Sequence, residues 1–214
     1  MPSMPLQNRV TPFGELVAVA ARGLFMGNRG GRFHRDNRNL GARRWVSRAW
    51  ICCVTRFKQR HREVWHHGYT ELFFLDEPTA LAAGHRPCFE CRRGDAVAFA
   101  TSWGAARQEL VRPRAAEMDR VLHAERLDGR GKRRHPLPID ALPDGAMFTI
   151  PGDPQSVFAL RGERLLPWSP AGYRDPQPRP RGILVDVLTP PSILAVLAQG
   201  YLPHWHPSAE AAGP

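Results

Sequence analysis

Residues 70–91, TELFFLDEPTALAAGHRPCFEC, carry the strongest structural signal of the chain. The apolar residues at their start predict a strand, the acidic and alanine-rich residues that follow predict one short helix, and Gly84 is expected to end it. The segment closes on Cys88 and Cys91, a Cys-x-x-Cys spacing at which one turn directs both sulfur atoms to the same point. The pattern predicts a knuckle that gives two thiolates to one tetrahedral zinc ion.

The other two cysteines are adjacent, at Cys52 and Cys53, and their distance from the knuckle along the chain suits two halves of one metal site. A redox pair or a merely buried pair is the alternative interpretation of the knuckle cysteines. A thioredoxin-like pair would follow a strand and open a long helix within a βαβ pattern. Pro87 and Gly84 crowd this pair instead, which favours a metal site.

Residues 71–94, about a tenth of the chain, combine two aromatic residues at the end of the predicted strand with Ala-Ala-Gly-x-Arg-Pro-Cys-x-x-Cys after the helix. This segment closely resembles the metal-binding domain of Ada-type methylphosphotriester repair proteins, and a similar knuckle is appended to some bacterial nucleases. The resemblance implies a zinc site and a role in DNA damage handling. The matching residues are Phe73, Phe74, Ala82, Ala83, Gly84, Arg86, Pro87, Cys88 and Cys91.

The first half of the metal site departs from that family, which places a Cys-x-x-x-Cys pair just ahead of the strand. Here the residues four positions beyond Cys52 and Cys53 are Arg56 and Phe57, which cannot ligate zinc. Adjacent residues of a strand point to opposite faces, so we expect only one of the two neighbouring cysteines to reach the metal. The incomplete set leaves the methyl-acceptor chemistry of the family open.

A histidine is the expected replacement for the missing ligand. The family spacing, counted back from Cys88, falls near His61, and His66 and His67 are competitors. Any of these histidines is also compatible with a surface or stacking role. The predicted Zn²⁺ ligands are Cys88, Cys91, His61 and one of Cys52 and Cys53.

The positive charge is concentrated at the start of the chain. Residues 1–60 contain 12 Arg and Lys against two acids, Glu15 and Asp36, so the whole formal net charge of +10 lies there. Such a concentration is typical of a surface that binds phosphates. A GC-rich genome would explain why Arg outnumbers Lys, but it would not explain the scarcity of acids.

The basic segment mixes arginines with glycines and aromatic residues, a combination expected where phosphates are neutralised and bases stack. The alternative is that the tryptophans belong to the core and the arginines form a solvated face. The segment predicts nucleic-acid binding, with DNA favoured over RNA. The predicted contacts are Arg29, Arg32, Arg35, Arg43, Arg44, Trp45 and Arg48.

The order of the predicted elements indicates an α+β fold. A small mixed sheet with a zinc knuckle and two helices is expected over residues 1–127, where strands are predicted within 42–57 and helices within 95–110 and 115–122. Residues 128–138 are predicted to be a linker or a loop rich in basic residues. Residues 139–214 are expected to form a small antiparallel β subdomain with a C-terminal helix at 193–199.

Motifs exclude some functions and leave others open. We find no Gly-x-Ser-x-Gly, no His-Glu-x-x-His and no dinucleotide fingerprint. The sequence shows no apolar run near membrane-spanning length and no signal peptide, and its few cysteines suit a reducing cytosol, so a cytoplasmic protein is expected. The predicted function is a zinc-binding, nucleic-acid-binding protein, in damage handling if the resemblance holds. A zinc-dependent nuclease or base-modifying enzyme and a structural zinc adaptor for protein partners are the alternatives.

Overall fold

The computed structural model describes residues 4–59 and 63–210, which form an α+β fold and confirm the predicted class. The helices are α1 (Glu77–Ala82), α2 (Arg93–Ala106), α3 (Ala115–Arg126) and α4 (Pro191–Ala198). The first strands are β1 (Arg9–Val10), β2 (Leu16–Val17), β3 (Phe25–Arg29), β4 (Trp50–Val54), β5 (Leu72–Phe74) and β6 (Arg86–Pro87). The later strands are β7 (Leu127–Asp128), β8 (Gly131–Lys132), β9 (His135–Pro138), β10 (Met147–Ile150), β11 (Asp153–Arg161), β12 (Arg164–Ser169), β13 (Gly172–Tyr173), β14 (Gln177–Pro178) and β15 (Leu184–Val187).

The first sheet is mixed and has the order β2-β1-β5-β3-β4-β6. Its centre is antiparallel, with β3 between β5 and β4, while β1 runs parallel to β5 and β6 runs parallel to β4. The second sheet is antiparallel with the order β13-β12-β11-β10-β15-β9, and β14 also pairs with β12. Strands β7 and β8 form a separate hairpin.

Apolar clusters connect the two predicted halves of the chain. Helix α4 packs with α2 and α3 around Phe99, Met118 and Val196. Leu75 and Ala82, which follow β5 and end α1, belong to a cluster with Met147 and other residues of the second sheet. Strand β9 lies within the 128–138 segment and pairs with β15. The domain boundary at that segment stays a prediction.

Two expected elements are shorter than the sequence suggests. The strand expected within 42–57 covers only β4, because residues 41–49 form an exposed loop whose Val46 amide donates to the Arg29 carbonyl (2.9 Å). Helix α2 ends at Ala106 rather than near Leu110, because Gln108 has a positive φ of 55° and Glu109 donates back to Gly104. None of the helices in the described ranges has the length and apolar character needed to cross a bilayer.

The segment around α1 forms as its sequence predicts. Asp76 caps α1, and its carboxylate accepts hydrogen bonds from the Thr79 amide (3.0 Å) and hydroxyl (2.7 Å). Gly84 ends the turn with a φ of +84°, which an L-residue with a side chain rarely adopts. The chain then runs along β4, where the Cys88 amide donates to the Cys52 carbonyl (2.9 Å). This pairing brings the knuckle beside the adjacent cysteines.

The register of β3 and β4 separates their side chains into two sets. Arg29 pairs with Trp50 and Met26 pairs with Cys53, and cross-strand partners lie on the same face of a sheet. Side chains alternate along each strand, so Trp50 and Cys53 lie on opposite faces of β4. Each face borders a cavity, and the two cavities have different chemistry.

Candidate metal centre and basic cavity

Three cysteines meet on one face of β4. The Sγ atoms of Cys53, Cys88 and Cys91 all lie within 4.8 Å of one another, and we call this group the cysteine centre. Cys53 and Cys88 are buried and Cys91 is half-buried. Zn–S bonds of about 2.3 Å in a tetrahedron place sulfur atoms about 3.8 Å apart, so small side-chain movements would complete such a site. The cysteine centre can therefore hold a metal ion.

The donor set favours a soft metal. Thiolate ligands select zinc, copper(I) or iron–sulfur clusters over the hard cations magnesium and calcium. All three donors here are sulfur atoms, and two of them come from a single turn. Zinc fits this set without redox chemistry, because three-cysteine zinc sites are common in structural domains.

Hydrogen bonds among the thiols divide their pKa values. The hydrogen bond between Cys53 and Cys88 raises the pKa of Cys53 and lowers that of Cys88 to about 5. The hydrogen bond from Cys53 also lowers the pKa of Cys91. One proton held by Cys53 thus stabilises negative charge on its neighbours. A bound cation would replace this proton, as metal binding to thiols generally does.

Cys52 lies outside the cysteine centre. It is fully buried among apolar residues of the first sheet, including Phe25 and Leu72. Its sulfur accepts a hydrogen bond from the Arg92 guanidinium (3.4 Å), and burial raises the pKa of its thiol. The structure brings Cys53, and not Cys52, to the knuckle cysteines.

Of the three histidines considered as ligands, His66 and His67 lie in the described part of the chain, and neither joins the centre. His61 lies outside the described residues. His66 and His67 are exposed and contact each other, with ring centroids 3.9 Å apart. Across residues 4–59 and 63–210, no fourth His, Cys, Asp or Glu joins the three sulfur atoms.

A cavity of about 300 Å³ adjoins the cysteine centre. Its wall includes the carboxylate residues Glu71 and Glu90, while Phe57 and Phe73 contribute apolar surface. Glu71 is 2% exposed and is held in place, because its Oε2 accepts from the Trp65 amide (3.0 Å). The sulfur atoms therefore border a space large enough for a small ligand. Glu71 was not among the predicted site residues, since its sequence position carries no motif.

The predicted nucleic-acid contacts fall into two groups. The segment from residue 30 to residue 49, which we call the basic loop, connects β3 to β4. Its exposed members among the predicted contacts are Arg32, Arg35, Arg43 and Arg48. Arg32 forms an ion pair with Asp36, the only acid of the loop. The loop thus presents uncompensated positive charge to solvent.

The base of this loop is tightly packed. A Cβ on Gly30, which has a φ of +81°, would lie 1.8 Å from the Ser47 hydroxyl oxygen, so the two ends of the loop approach each other only because this residue is glycine. Farther along, Nδ1 of the buried His34 forms a hydrogen bond with the Thr70 hydroxyl (2.9 Å), and the His34 ring stacks on Trp65. The loop is anchored at these points while its arginines remain outside.

Arg29, Arg44 and Trp45 form the second group. Arg29 is only 1% exposed, so it is not part of the solvent-facing surface with Arg32 and Arg35. Arg44 and Trp45 are half-buried. All three line a second cavity, of about 460 Å³, on the Trp50 face of β4.

Residues remote in sequence complete this second cavity. Arg126, from the end of α3, and Lys132, from β8, also line it. The basic run at residues 128–136 identifies Lys132 as a cation near a turn, but nothing in the sequence around Arg126 marks a site. The chain matches no protein-family model, no curated protein and no solved structure. Functional conclusions therefore depend on the geometry of these two cavities and of the basic loop.

Proposed function

We propose that this chain is a zinc-binding protein that binds nucleic acid through the basic loop. Zinc at Cys53, Cys88 and Cys91 would fix the end of β4 to the knuckle. The observation that carries the proposal is a connection along the chain: β4, which supplies Cys53, is entered directly from the basic loop. Metal binding would thereby hold in place one anchor of the loop whose arginines face solvent.

The charge of the loop supports a phosphate-binding role. Four of its exposed arginines are among the predicted contacts, and Asp36 is its single acid. Arginine forms bidentate hydrogen bonds with phosphate oxygens. Contacts of this kind bind nucleic acid with an affinity that falls steeply as salt concentration rises.

The resemblance of residues 71–94 to Ada-type proteins extends the proposal to DNA, and to damage handling in particular. The comparison that tests this extension uses duplex DNA, the same DNA with methylated backbone phosphates, and RNA of the same sequence. Tighter binding to the methylated DNA would support damage handling. Equal binding to all three would restrict the proposal to general nucleic-acid binding.

The direct test of nucleic-acid binding neutralises three exposed arginines at once, in the variant Arg32→Gln/Arg35→Gln/Arg43→Gln. We expect weaker retardation of DNA, with a log–log salt slope lower by roughly 0.7–0.9 for each lost phosphate contact. The matched control replaces Arg107, Arg112 and Arg120, exposed arginines outside the loop, and removes the same charge. If both variants bind DNA as tightly as the parent, the adaptor interpretation takes the place of this proposal.

The cavity beside the sulfur atoms favours a second candidate, a zinc-dependent enzyme. Catalytic zinc sites keep one position for water or substrate, and in base deaminases a nearby glutamate moves protons. Glu71 lines the cavity with the cysteines. The test is Glu71→Gln: an enzyme would lose activity on nucleosides or nucleic acid while keeping its zinc. Absence of activity on nucleosides and nucleic acid in the parent protein would exclude this candidate.

A further inference from the structure

The cavity on the Trp50 face is strongly basic, and we call it the arginine cavity. It is bordered by six cationic side chains and by one acid, Glu15. Two of these cations are buried, three are half-buried and one is exposed. The cationic residues are Arg29, Arg44, Arg126, Arg130, Lys132 and Arg134.

Two guanidinium groups pack on one indole at the floor of the cavity. The Cζ atoms of Arg29 and Arg126 each lie 3.9 Å from the Trp50 ring centroid. Arg29 donates to the Gly14 carbonyl (2.8 Å), and its Nε lies 3.4 Å from Nε2 of the buried His85. Cation–π contacts of this kind are attractive, and more so when they are desolvated. They fix the position of both arginines without neutralising them.

Arg126 is held by neutral acceptors. It donates to the backbone carbonyls of Gly84 and Arg48, both at 2.9 Å, and contacts Nδ1 of His123 at 2.8 Å. The approach to Gly84 requires glycine there, because a Cβ would lie 2.6 Å from the Arg126 Cδ. The local structure is thus arranged to admit a buried guanidinium.

Three of these cations have no carboxylate at ion-pair distance within residues 4–59 and 63–210. None of the ion pairs formed within the described residues involves Arg29, Arg126 or Lys132. Arg86, also buried, shows the usual solution, since Asp119 binds its guanidinium with two hydrogen bonds of 2.9 and 2.8 Å. A buried charge without a partner is strongly unfavourable. The arginine cavity lacks the counter-charge that burial normally demands.

The pKa values of the buried cations reflect the same lack of counter-charge. Burial, together with repulsion from Arg126 and Arg44, lowers the pKa of Arg29 well below its usual value. Burial lowers the pKa of Arg126 to about 9, although Asp119 opposes the shift. Burial, with Arg126 and Arg29 nearby, lowers the pKa of Lys132 to about 7.

Polar atoms at the floor are also left without a partner. The Nε atom of Arg126, the Nε1 atom of Trp50 and the Nδ1 atom of His85 are buried with no hydrogen-bond partner among the described residues. Buried donors of this kind are rare in folded proteins. Two of the three belong to Arg126 and Trp50, which line the cavity, and their missing acceptor supports a ligand supplied from outside the chain.

We propose that the arginine cavity binds the phosphate group of a ligand. Phosphate offers a double charge and several acceptor oxygens, which matches a set of guanidinium donors better than one carboxylate does. The volume of about 460 Å³ lies in the range of small-molecule sites, so the group bound is part of a larger molecule. Its source is either a free phosphorylated small molecule or the phosphorylated end of a nucleic-acid strand. The inference does not depend on zinc or on the exposed arginines of the basic loop, although Arg44 and Trp45 of that loop line the cavity.

Calorimetry with inorganic pyrophosphate tests the proposal. The variant Arg130→Gln/Lys132→Gln changes two residues of the β7–β8 hairpin, and it leaves Arg29, Arg126 and every member of the basic loop intact. We expect saturable binding by the parent protein and an affinity at least tenfold lower for this variant. The matched control, Arg112→Gln/Arg120→Gln, removes the same charge from exposed positions and should bind as the parent does. Circular dichroism of each variant verifies that it is folded.

The proposal is overturned if pyrophosphate does not bind, or if the hairpin variant and the control weaken binding equally. A second measurement then assigns the source of the phosphate. Single-stranded DNA with a 5′-phosphate competes with pyrophosphate better than the 5′-hydroxyl strand if the cavity receives a strand end. Equal competition by the two strands assigns the cavity to a free small molecule. Pyrophosphate is not a nucleic acid, so the calorimetry and the DNA retardation assay give separate results. Failure of one proposal can therefore be distinguished from failure of the other.

Discussion

The two faces of strands β3 and β4 carry buried polar clusters of opposite charge, the cysteine centre and the arginine cavity. The buried charge is stabilised differently in the two clusters. On one face, Cys53, Cys88 and Cys91 share hydrogen bonds, so that a proton on Cys53 stabilises negative charge on the other two sulfur atoms. On the other face, Arg29 and Arg126 stack on Trp50 without a carboxylate. Hydrogen bonds within the cysteine centre stabilise its negative charge, whereas the positive charge of the arginine cavity requires an anion from outside the chain.

The largest effect is expected from the cysteine centre. Cys88→Ser should remove stoichiometric zinc and unfold much of the first sheet, since structural zinc contributes on the order of 10 kcal/mol of binding free energy coupled to folding. Cys52→Ala should keep its zinc, because this sulfur contacts Arg92 and apolar side chains instead. Elemental analysis and thermal unfolding of both variants give the comparison. Equal loss of zinc in the two variants would contradict the assignment of Cys53 as the ligand.

The next effect concerns a buried arginine that does have a partner. Asp119→Asn leaves the Arg86 guanidinium without its carboxylate, and breaking a buried pair in this way costs about 3–5 kcal/mol. Urea unfolding measures the change in the free energy of unfolding. A cost below about 1 kcal/mol would show that buried guanidinium groups in this protein need no counter-charge, and would remove one argument for an anion in the arginine cavity.

A glycine substitution probes the packing of Arg126. In Gly84→Ala the new methyl group would meet the Arg126 Cδ, and the φ of +84° adds strain of about 1–2 kcal/mol. Gly129→Ala is the matched control, because its φ of +58° carries similar strain while a Cβ there meets nothing within 4 Å. We expect Gly84→Ala to be the more destabilising of the two in urea unfolding, and to weaken pyrophosphate binding. Equal costs would mean that Arg126 moves aside freely.

The most gradual effect is a dependence on pH, which is spread over several pH units. The pKa of Lys132 is about 7 in the folded protein and about 10.4 in an unfolded chain. Between these values the unfolded chain binds more protons, so the free energy of unfolding should rise with pH above 7. Its slope from this group is at most about 1.4 kcal/mol per pH unit.

Lys132→Met should flatten this rise, and saturating pyrophosphate should flatten it in the parent by favouring the charged amine. Urea unfolding at pH 7, 8 and 9 measures the slopes. Parallel curves for parent and variant would show that Lys132 keeps an ordinary pKa and is not coupled to the buried arginines.

The sequence predicts the cysteine centre far better than the arginine cavity, for a physical reason. Cys88 and Cys91 lie in one turn, so local spacing alone specifies their geometry, and strand alternation places Cys52 and Cys53 on opposite faces of β4. Arg29 and Arg126 come together only through the packing of α3 against the first sheet. No local pattern marks that contact, and the sequence placed Arg29 among the predicted nucleic-acid contacts together with arginines that are exposed in the structure.

The strands also divide into those that local sequence predicts and those that depend on tertiary contacts. β10 and β12 lie within the predicted antiparallel β subdomain, where short apolar runs are separated by turns. The alternating pattern of residues 43–48 suggested a strand, but in the structure it belongs to a loop held by Gly30 and the Arg29 carbonyl. Alternation alone could not reveal this, since the loop is fixed by contacts across β3 and β4.

The central claim is that Cys53 joins Cys88 and Cys91 around one zinc ion, on the face of β4 opposite the arginines. Zinc-edge X-ray absorption of the purified protein tests it most directly, because sulfur and nitrogen or oxygen ligands differ in bond length. The account predicts one zinc per chain with three sulfur ligands near 2.3 Å and one lighter ligand near 2.0–2.1 Å. Four sulfur ligands, which would bring Cys52 into the site, or a protein without zinc would contradict it.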